Sequence, residues 1–258
     1  MDTIILNKYF PFESKYLTGY EPKIFCFHHA GGTAATYRKW TLKPSSVHFI
    51  CVELPGKGAR RSEIFENDFK SILDPLCQAI IEKSDGKPFL LFGHSMGAAM
   101  AFYTAYRLET FYGITPQRLI VAGRQAPNEE NPIEFKTHMP DSALLDELKR
   151  YKATPKEVFL NNDLLKHIVS ELRRDYELNE SLIYHGERIS IPIFAHAADQ
   201  DCEADPDVMS RWGSVTTSRV SVSGFKGEHF FVLEDWYRAQ LVCAAVDGGL
   251  PEREGVAT

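Results

Sequence analysis

Short apolar runs recur along the chain, separated by stretches with helical periodicity. The run at residues 89–92 is short, aromatic and continuous, which is typical of a strand buried on both faces of a sheet. The apolar runs lie at residues 24–28, 47–53, 89–92, 119–122, 191–196 and 219–222. A helical spacing of i, i+3, i+4, i+7 is followed by Phe69, Ile72, Leu73, Leu76 and Ile80, and residues 96–108 predict a further helix. This alternation predicts an α/β fold with a mostly parallel central sheet, flanked by helices, whose sites lie at the carboxyl ends of the strands.

One long segment interrupts the alternation. Residues 127–188 are polar and helical, with amphipathic stretches near 142–151 and 164–176 and with prolines at Pro132, Pro140 and Pro155. An insertion that follows a strand end, where ligands bind, predicts a lid; the alternative is a helical bulge that only covers the sheet. We therefore expect a single α/β domain over residues 1–258, a lid insertion at approximately 127–188 and a frayed tail from residue 248 onward.

Composition narrows the function classes. The chain has 258 residues, of which 44% are hydrophobic and 25% charged, as in an ordinary globular domain. Its formal net charge of −6 argues against a duplex nucleic-acid binder. No apolar stretch reaches the length of a membrane span, and the first residues carry no basic leader. We expect a cytoplasmic protein that acts away from membranes, with a monomer as the default state.

The cysteines predict no disulfide framework. Five are scattered without a C-x-x-C pair, at Cys26, Cys51, Cys77, Cys202 and Cys243. Most have apolar neighbours in the sequence, so we interpret them as core thiols rather than as disulfide partners or zinc ligands.

A serine stands at the end of the third apolar run. Residues 91–97 read LFGHSMG, and the alanine-rich helical segment begins directly afterwards. Ser95 therefore lies at a strand-to-helix corner, where the flanking Gly93 and Gly97 remove the side chains that would clash with nearby backbone. The free N–H groups and positive dipole end of the helix point at the same place and would stabilise an anion there. The pattern predicts a nucleophilic serine; a plain turn is the alternative.

A serine hydroxyl needs a base to accept its proton and an acid to orient that base. In chains with this type of corner the acid follows a late strand and the histidine lies in the last loop. The segment GFKGEHFFVLED supplies His229 as the base, and IPIFAHAADQD offers Asp199 or Asp201 as the acid. We favour Asp201, because Asp199 is close enough to the strand to cap the turn. His94 is interpreted as structural despite its position beside Ser95.

Two amides are candidate donors to an oxyanion. One is the N–H of Met96, directly after the serine, and the second comes from the loop after an early strand. The segment FCFHHAGGTAATYRKW provides that loop, and we assign the donor to the N–H of Ala30. A phosphate site at Gly31-Gly32 is the alternative, although neither G-x-G-x-x-G nor a G-K-[ST] loop occurs in the chain.

Four motifs in order resemble those of the type II thioesterases. These are HHAGG near residue 30, ELPGKGAR at 53–60, GHSMG at 93–97 and GEHFFV at 227–232. Together with the insertion they cover nearly the whole chain. The departures from the usual family residues are His28, Lys57 and the pair Ala197-Ala198. The resemblance implies an α/β-hydrolase fold.

The resemblance also implies a function and a partner. Such enzymes hydrolyse stalled or wrongly primed acyl groups from the phosphopantetheine arm of carrier domains in polyketide and non-ribosomal peptide biosynthesis. A thioester has little resonance stabilisation, so a Ser–His–Asp site with an oxyanion hole acts on it without metal or cofactor. A carboxylesterase or lipase of the same fold and a hydrolase-fold binding protein without catalysis are the alternatives.

Two further groups of residues are expected to serve the substrate. Carrier domains are acidic, so docking on this acidic chain needs a local basic patch. The candidates are Arg38, Lys57 and Arg60, with Lys39 and Arg61 beside them. Apolar residues of the insertion either line an acyl groove or form the core of the lid itself; they are Leu144, Leu148, Val158, Phe159 and Leu160.

Overall fold

The fold is that of a computed structural model, which describes residues 8–19, 21–129, 136–151 and 156–246. Pro132, Pro155 and the expected frayed tail lie outside the described residues. Among the described residues, no helix is both long and apolar enough to cross a membrane.

A seven-stranded sheet forms the centre of the protein, in the order β1-β3-β2-β4-β5-β6-β7. All neighbouring strands are parallel except β1, which pairs antiparallel with β3 at one edge. The strands are β1 Phe12–Glu13, β2 Lys23–Phe27, β3 His48–Cys51, β4 Phe89–His94, β5 Arg118–Ala122, β6 Ile193–Ala198 and β7 Val220–Phe225. The six predicted strands and the parallel α/β architecture are confirmed, and β1 is the strand that the pattern did not predict.

Helices cover both faces of the sheet. In the described part of the chain the α-helices are α1 Arg38–Thr41, α2 Phe69–Ser84, α3 Met96–Tyr112, α4 Asp141–Arg150, α5 Asn162–Glu180, α6 Pro206–Ser210 and α7 Tyr237–Val246. α2 begins at Asp68, whose carboxylate accepts the N–H of Lys70, and α3 ends at Gly113 in the left-handed conformation. Both helices run several residues beyond the carboxyl ends of the predicted segments, because the left-handed caps Asp85 and Gly113, and not the apolar pattern, set where they end.

The sheet is buried on both faces. Every residue of β3, β4 and β6 is buried, which explains why these strands are continuous apolar runs rather than alternating ones. Side chains of alternate residues enter separate apolar clusters, with Phe25 and Leu91 in one and Cys26 and Phe92 in the other. The central strands are thereby held rigidly, and their carboxyl ends give a firm base for a site.

The predicted insertion lies between β5 and β6. Its two long helices, α4 and α5, have a small apolar cluster of their own, formed by Leu144, Val169, Leu172 and Tyr176. Ala30, from the loop after β2, packs against this cluster. The insertion therefore meets the sheet at the carboxyl ends of its strands.

Candidate active site

Ser95 is the single residue between β4 and α3. Its backbone has φ 54° and ψ −121°, a region that residues with a side chain rarely adopt and that costs free energy. Its N–H donates to the carbonyl of Ala122 at 2.9 Å, which ties the corner to β5. The corner thus presents the hydroxyl at the carboxyl end of the sheet, beside the first turn of α3.

The glycines on either side let the corner close. A Cβ added at Gly93 would lie 2.0 Å from the carbonyl oxygen of Gly97, and one added at Gly97 would lie 2.2 Å from that of Phe27. No side chain fits at either position, because backbone occupies the space. The G-x-S-x-G spacing is therefore a packing requirement of this turn as well as a signature.

Asp201 contacts the imidazole of His229. The His229 Nδ1–H donates to Asp201 Oδ2 at 2.9 Å, and both side chains are buried. Burial raises the pKa of Asp201. The hydrogen bond and charge of His229 and the backbone N–H groups of Glu203 and Ala204 lower the pKa by a larger amount, so it lies below its ordinary value. The ionised carboxylate holds the ring in the tautomer that leaves Nε2 free to accept a proton.

Asp199 has a different role. Its Oδ1 accepts the N–H of Gly227 at 2.9 Å, and its own N–H donates to the carbonyl of Phe225. These bonds close the loop that carries His229 and keep the Asp199 carboxylate on the surface. Of the two aspartates, only Asp201 is placed against the base.

His94 holds the loop that carries His229. It is fully buried, and its Nε2 donates to the carbonyl oxygen of His229 at 2.8 Å. Burial, together with the charge of His229, holds the pKa of His94 well below its ordinary value, so the ring is neutral. Sequence reasoning interpreted His94 as structural but did not predict its contact with the His229 carbonyl. The position of His94 next to Ser95 was the signal that could have indicated it.

Gly123, directly after β5, leaves room for these two rings. A Cβ at this position would lie 2.9 Å from His94 Nε2 and 3.4 Å from Cε1 of His229, and its φ is +61°. Gly113 has a similar φ of +65° with open space around it.

We expect Gly123→Ala to lower kcat by roughly tenfold, since a displacement of the base by less than an ångström is costly to catalysis. Gly113→Ala is the matched control: both variants should lose about 1 kcal/mol of stability to backbone strain, but Gly113→Ala should keep its kcat. Steady-state kinetics and thermal unfolding of the two proteins test this. Equal kcat values for the two variants would contradict the expectation that a side chain at residue 123 displaces His229.

Two candidate amide donors belong to residues that line the same cavity as Ser95. Met96 and Ala30 both line the cavity next to the serine, and neither N–H has a hydrogen-bond partner among the described residues. The Met96 amide is in the first turn of α3, where N–H groups are free and the dipole favours negative charge. The assignment of these two N–H groups as oxyanion donors stays a prediction.

The loop that carries Ala30 is held on both sides. The carbonyl of His29 accepts the N–H of Gly32 at 3.0 Å and Nδ1–H of His28 at 2.9 Å. The N–H of Gly31 donates to Asp175 Oδ2 at 2.6 Å. Asp175 is a residue of α5, so the insertion takes part in shaping this loop.

Ser95 and His229 line a cavity of about 1120 Å³ between the strand ends and the insertion. Its wall combines apolar and polar side chains. Residues 136–184 contribute Lys136, Met139, Glu147, Leu148, Tyr151, Leu172, Tyr176, Asn179, Glu180, Leu182, Ile183 and Tyr184. The cavity is large enough for an acyl chain. Among the described residues, no group of three or more His, Cys, Asp or Glu side chains is placed to bind a metal ion.

Tyr151 covers the imidazole of His229. The two ring centroids are 4.9 Å apart at an interplanar angle of 36°, and the Tyr151 hydroxyl donates to Glu203 Oε1 at 2.7 Å. Arg150 donates to the same carboxylate oxygen at 2.6 Å. The end of α4 is thereby joined to the loop after Asp201. Sequence reasoning missed Tyr151, because nothing in its local pattern distinguishes it from other aromatic residues of the insertion.

The expectation of a surface basic patch is wrong for two of its three main residues. Lys57 is buried and donates to Asp175 Oδ2, and Arg60 is buried against the ring of Tyr9 and pairs with Glu63. A buried ammonium loses its hydration and needs a carboxylate partner to offset that loss. Asp175 provides this partner for Lys57. Arg38 is exposed.

The apolar residues assigned to the insertion divide between the two expected roles. Leu144 is fully buried in the insertion's own cluster, while Leu148 lines the cavity. Leu160 is 87% exposed and serves neither role.

The expectation of core thiols is met at three of the five cysteines. Cys26, Cys51 and Cys77 are buried, Cys243 is half-buried and Cys202 is exposed. Cys202 differs because its loop forms part of the cavity wall rather than a strand.

Comparisons with known proteins agree with this geometry. A family model described as "Thioesterase domain" matches residues 22–246. The chain is similar to Linear gramicidin dehydrogenase LgrE of Brevibacillus parabrevis, at 33% identity over 217 residues that cover 82% of each chain. It is also similar to Thioesterase PikA5 of Streptomyces venezuelae, at 29% identity over 218 residues that cover 83% of this chain and 77% of PikA5.

Solved structures show the same likeness. RedJ, a thioesterase from the prodiginine biosynthetic pathway in Streptomyces coelicolor, has a TM-score of 0.77 at 27% identity, covering 86% of this chain and 88% of RedJ. BorB, a type II thioesterase from the borrelidin biosynthetic cluster, has a TM-score of 0.76 at 28% identity, covering 92% of this chain and 96% of BorB.

Proposed function

The chain belongs to the thioesterase family, and from this premise we propose that it hydrolyses acyl thioesters on the phosphopantetheine arm of carrier proteins in polyketide or non-ribosomal peptide biosynthesis. Stalled and aberrant acyl groups are among its substrates. The observation that carries the proposal is a single cavity lined by Ser95, His229, Met96 and Ala30. His229 is hydrogen-bonded to Asp201, and the N–H groups of Met96 and Ala30 have no partner among the described residues. The likeness to BorB, a type II thioesterase of a biosynthetic cluster, supports the choice of substrate.

The proposed reaction has two halves with one shared base. His229 Nε2 accepts the proton of Ser95 as its Oγ attacks the thioester carbonyl carbon, and the N–H groups of Met96 and Ala30 stabilise the oxyanion. The C–S bond then breaks, the departing thiolate takes the proton from His229, and an acyl-Ser95 ester remains. Water attacks this ester after losing a proton to His229, and the carboxylic acid leaves as Ser95 regains its hydrogen.

Asp201 acts through His229. Its carboxylate accepts the Nδ1–H, which orients the ring and stabilises the imidazolium that forms in both halves of the reaction. The low pKa of Asp201 keeps it ionised throughout the neutral range.

The helical insertion is the proposed lid. It supplies most of the cavity wall opposite Ser95, and its Tyr151 lies against the His229 ring. An acyl chain enclosed there is shielded from water other than the one that reacts.

Docking of the acidic carrier is proposed to involve exposed basic side chains. Arg38 is the proposed contact, because Lys57 and Arg60 are buried. In this proposal the enzyme is a monomer and acts in the cytoplasm, alongside the synthase whose carriers it clears.

The proposal is tested with carriers loaded with short, branched and long acyl groups. Mass spectrometry of the carrier should show loss of the acyl group with the wild-type enzyme and none with Ser95→Ala. A protein that leaves every acyl carrier intact but cleaves simple lipid esters is a carboxylesterase or lipase. A protein that cleaves neither, and whose Ser95 does not react with a fluorophosphonate, is a binding protein of this fold.

A further inference from the structure

We propose that Asp175 is a positioning residue, which fixes the loop carrying the Ala30 amide and so makes this oxyanion donor depend on the helical insertion. The inference rests on the proposed function, because it assigns the Ala30 N–H to the oxyanion. It goes further by assigning the loop's geometry to a carboxylate on α5, a segment distant in the sequence.

Asp175 joins three segments of the chain at one oxygen atom. Its side chain is completely buried, and Oδ2 accepts one hydrogen bond from the N–H of Gly31 at 2.6 Å and another from Lys57 Nζ. Gly31 lies 144 residues before Asp175 and Lys57 lies 118 residues before it. A hydrogen bond to a charged acceptor is shorter and stronger than one between neutral groups, so Gly31 is held firmly.

The direction of the Ala30 N–H depends on the peptide units around it. The unit that contains this N–H also contains the His29 carbonyl, which points the opposite way because the peptide is planar and trans. That carbonyl is held by the N–H of Gly32 and by His28, whose burial keeps the pKa far below its ordinary value and the ring neutral. These two bonds hold the first of the two peptide units, provided that the chain keeps its path through Gly31 to Gly32.

The second peptide unit, between Ala30 and Gly31, is held by the insertion. Its N–H belongs to Gly31, and Asp175 is the acceptor for it in the described part of the chain. Without this acceptor the unit is free to rotate about the Ala30 backbone. The chain runs from this unit directly to Gly32, so its rotation displaces the Gly32 N–H that holds the His29 carbonyl, and the Ala30 N–H then turns away from the reacting carbonyl.

Lys57 makes the carboxylate possible at this position. Burial raises the pKa of Asp175, and the ammonium of Lys57 opposes that rise. Asp175 Oδ1 is buried without a partner among the described residues. The negative charge of the carboxylate is therefore stabilised by the hydrogen bonds that Lys57 and Gly31 donate to Oδ2. If α5 moves away from the sheet, both contacts are lost together, and the oxyanion site is complete only when the insertion is closed.

The test compares two double variants that both lack the buried charges. Lys57→Met with Asp175→Asn keeps an oxygen acceptor for Gly31, whereas Lys57→Met with Asp175→Leu removes it and keeps the same number and branching of side-chain heavy atoms. We expect kcat for a small acyl thioester to be about tenfold to a hundredfold lower in the Leu variant than in the Asn variant, less than for outright loss of an oxyanion donor. KM and the unfolding midpoint should agree between the two proteins.

The rate of Ser95 labelling by a fluorophosphonate provides a second readout that requires no turnover. The phosphoryl oxygen occupies the oxyanion site, so labelling should slow in the Leu variant and recover in the Asn variant. Equal kcat values and equal labelling rates in the two variants would overturn the inference. Failure of the wild type on acyl carriers, with these differences intact, would instead reject only the proposed substrate.

Discussion

Replacing Ser95 by alanine is expected to lower kcat by at least about 10⁴-fold, because it removes the nucleophile and leaves only binding and the oxyanion amides. The fold should survive the change. Alanine meets the same positive φ as serine, and the closing glycines at 93 and 97 remain. Single-turnover hydrolysis of an acyl thioester measures the loss, and circular dichroism with thermal unfolding checks the fold.

Ser71→Ala is the matched control for this change. Ser71 is exposed in α2, and within the described part of the chain its hydroxyl donates to Glu66 and to the carbonyl of Asp68. Its loss should leave kcat unchanged. Substantial hydrolysis by Ser95→Ala, or continued labelling of that variant by a fluorophosphonate, would reject Ser95 as the nucleophile.

Asp201→Asn should lower kcat by roughly 10³- to 10⁴-fold. The amide can present an N–H to His229 Nδ1, which reverses the ring's tautomer and places a hydrogen on the nitrogen that must accept the Ser95 proton. The effect should be on kcat rather than on KM, because the carboxylate lies behind the ring and away from the substrate. Steady-state kinetics on one acyl thioester separate the two constants.

Asp199→Asn makes the same chemical change two residues earlier and serves as the control. The Asp199 carboxylate accepts a backbone N–H from Gly227, and an amide oxygen can replace it. We expect kcat to fall by less than about threefold, since a neutral hydrogen bond is somewhat weaker than a charged one. A larger loss in this variant than in Asp201→Asn would exchange the roles of the two residues.

The middle of the sheet was predictable because strands such as β3, β4 and β6 are buried on both faces and therefore consist mainly of apolar residues. β1 was not predictable, since Phe12–Glu13 is held by backbone pairing with β3 and two residues carry no periodic pattern. β6 begins at Ile193, two residues later than predicted, because the sheet's pairing and not the apolar run sets where a strand starts.

Sequence placed the corner serine and the last-loop histidine because each lies in a local pattern of glycines and apolar residues. It favoured Asp201 as the acid but left Asp199 as the alternative, since both follow β6 and only the path of the loop separates them. The burial of Lys57 was beyond local reasoning altogether. A lysine between two glycines is typical of an exposed turn, and its partner Asp175 is 118 residues away.

The exposed thiol of Cys202 has a practical consequence for enzymology on this protein. It lies next to Asp201 and on the wall of the reaction cavity. Disulfide reagents that detect a released pantetheine thiol by its colour will also react with Cys202, and the adduct will narrow the cavity during the measurement. Hydrolysis is better followed through the liberated carboxylic acid, or in a Cys202→Ser background.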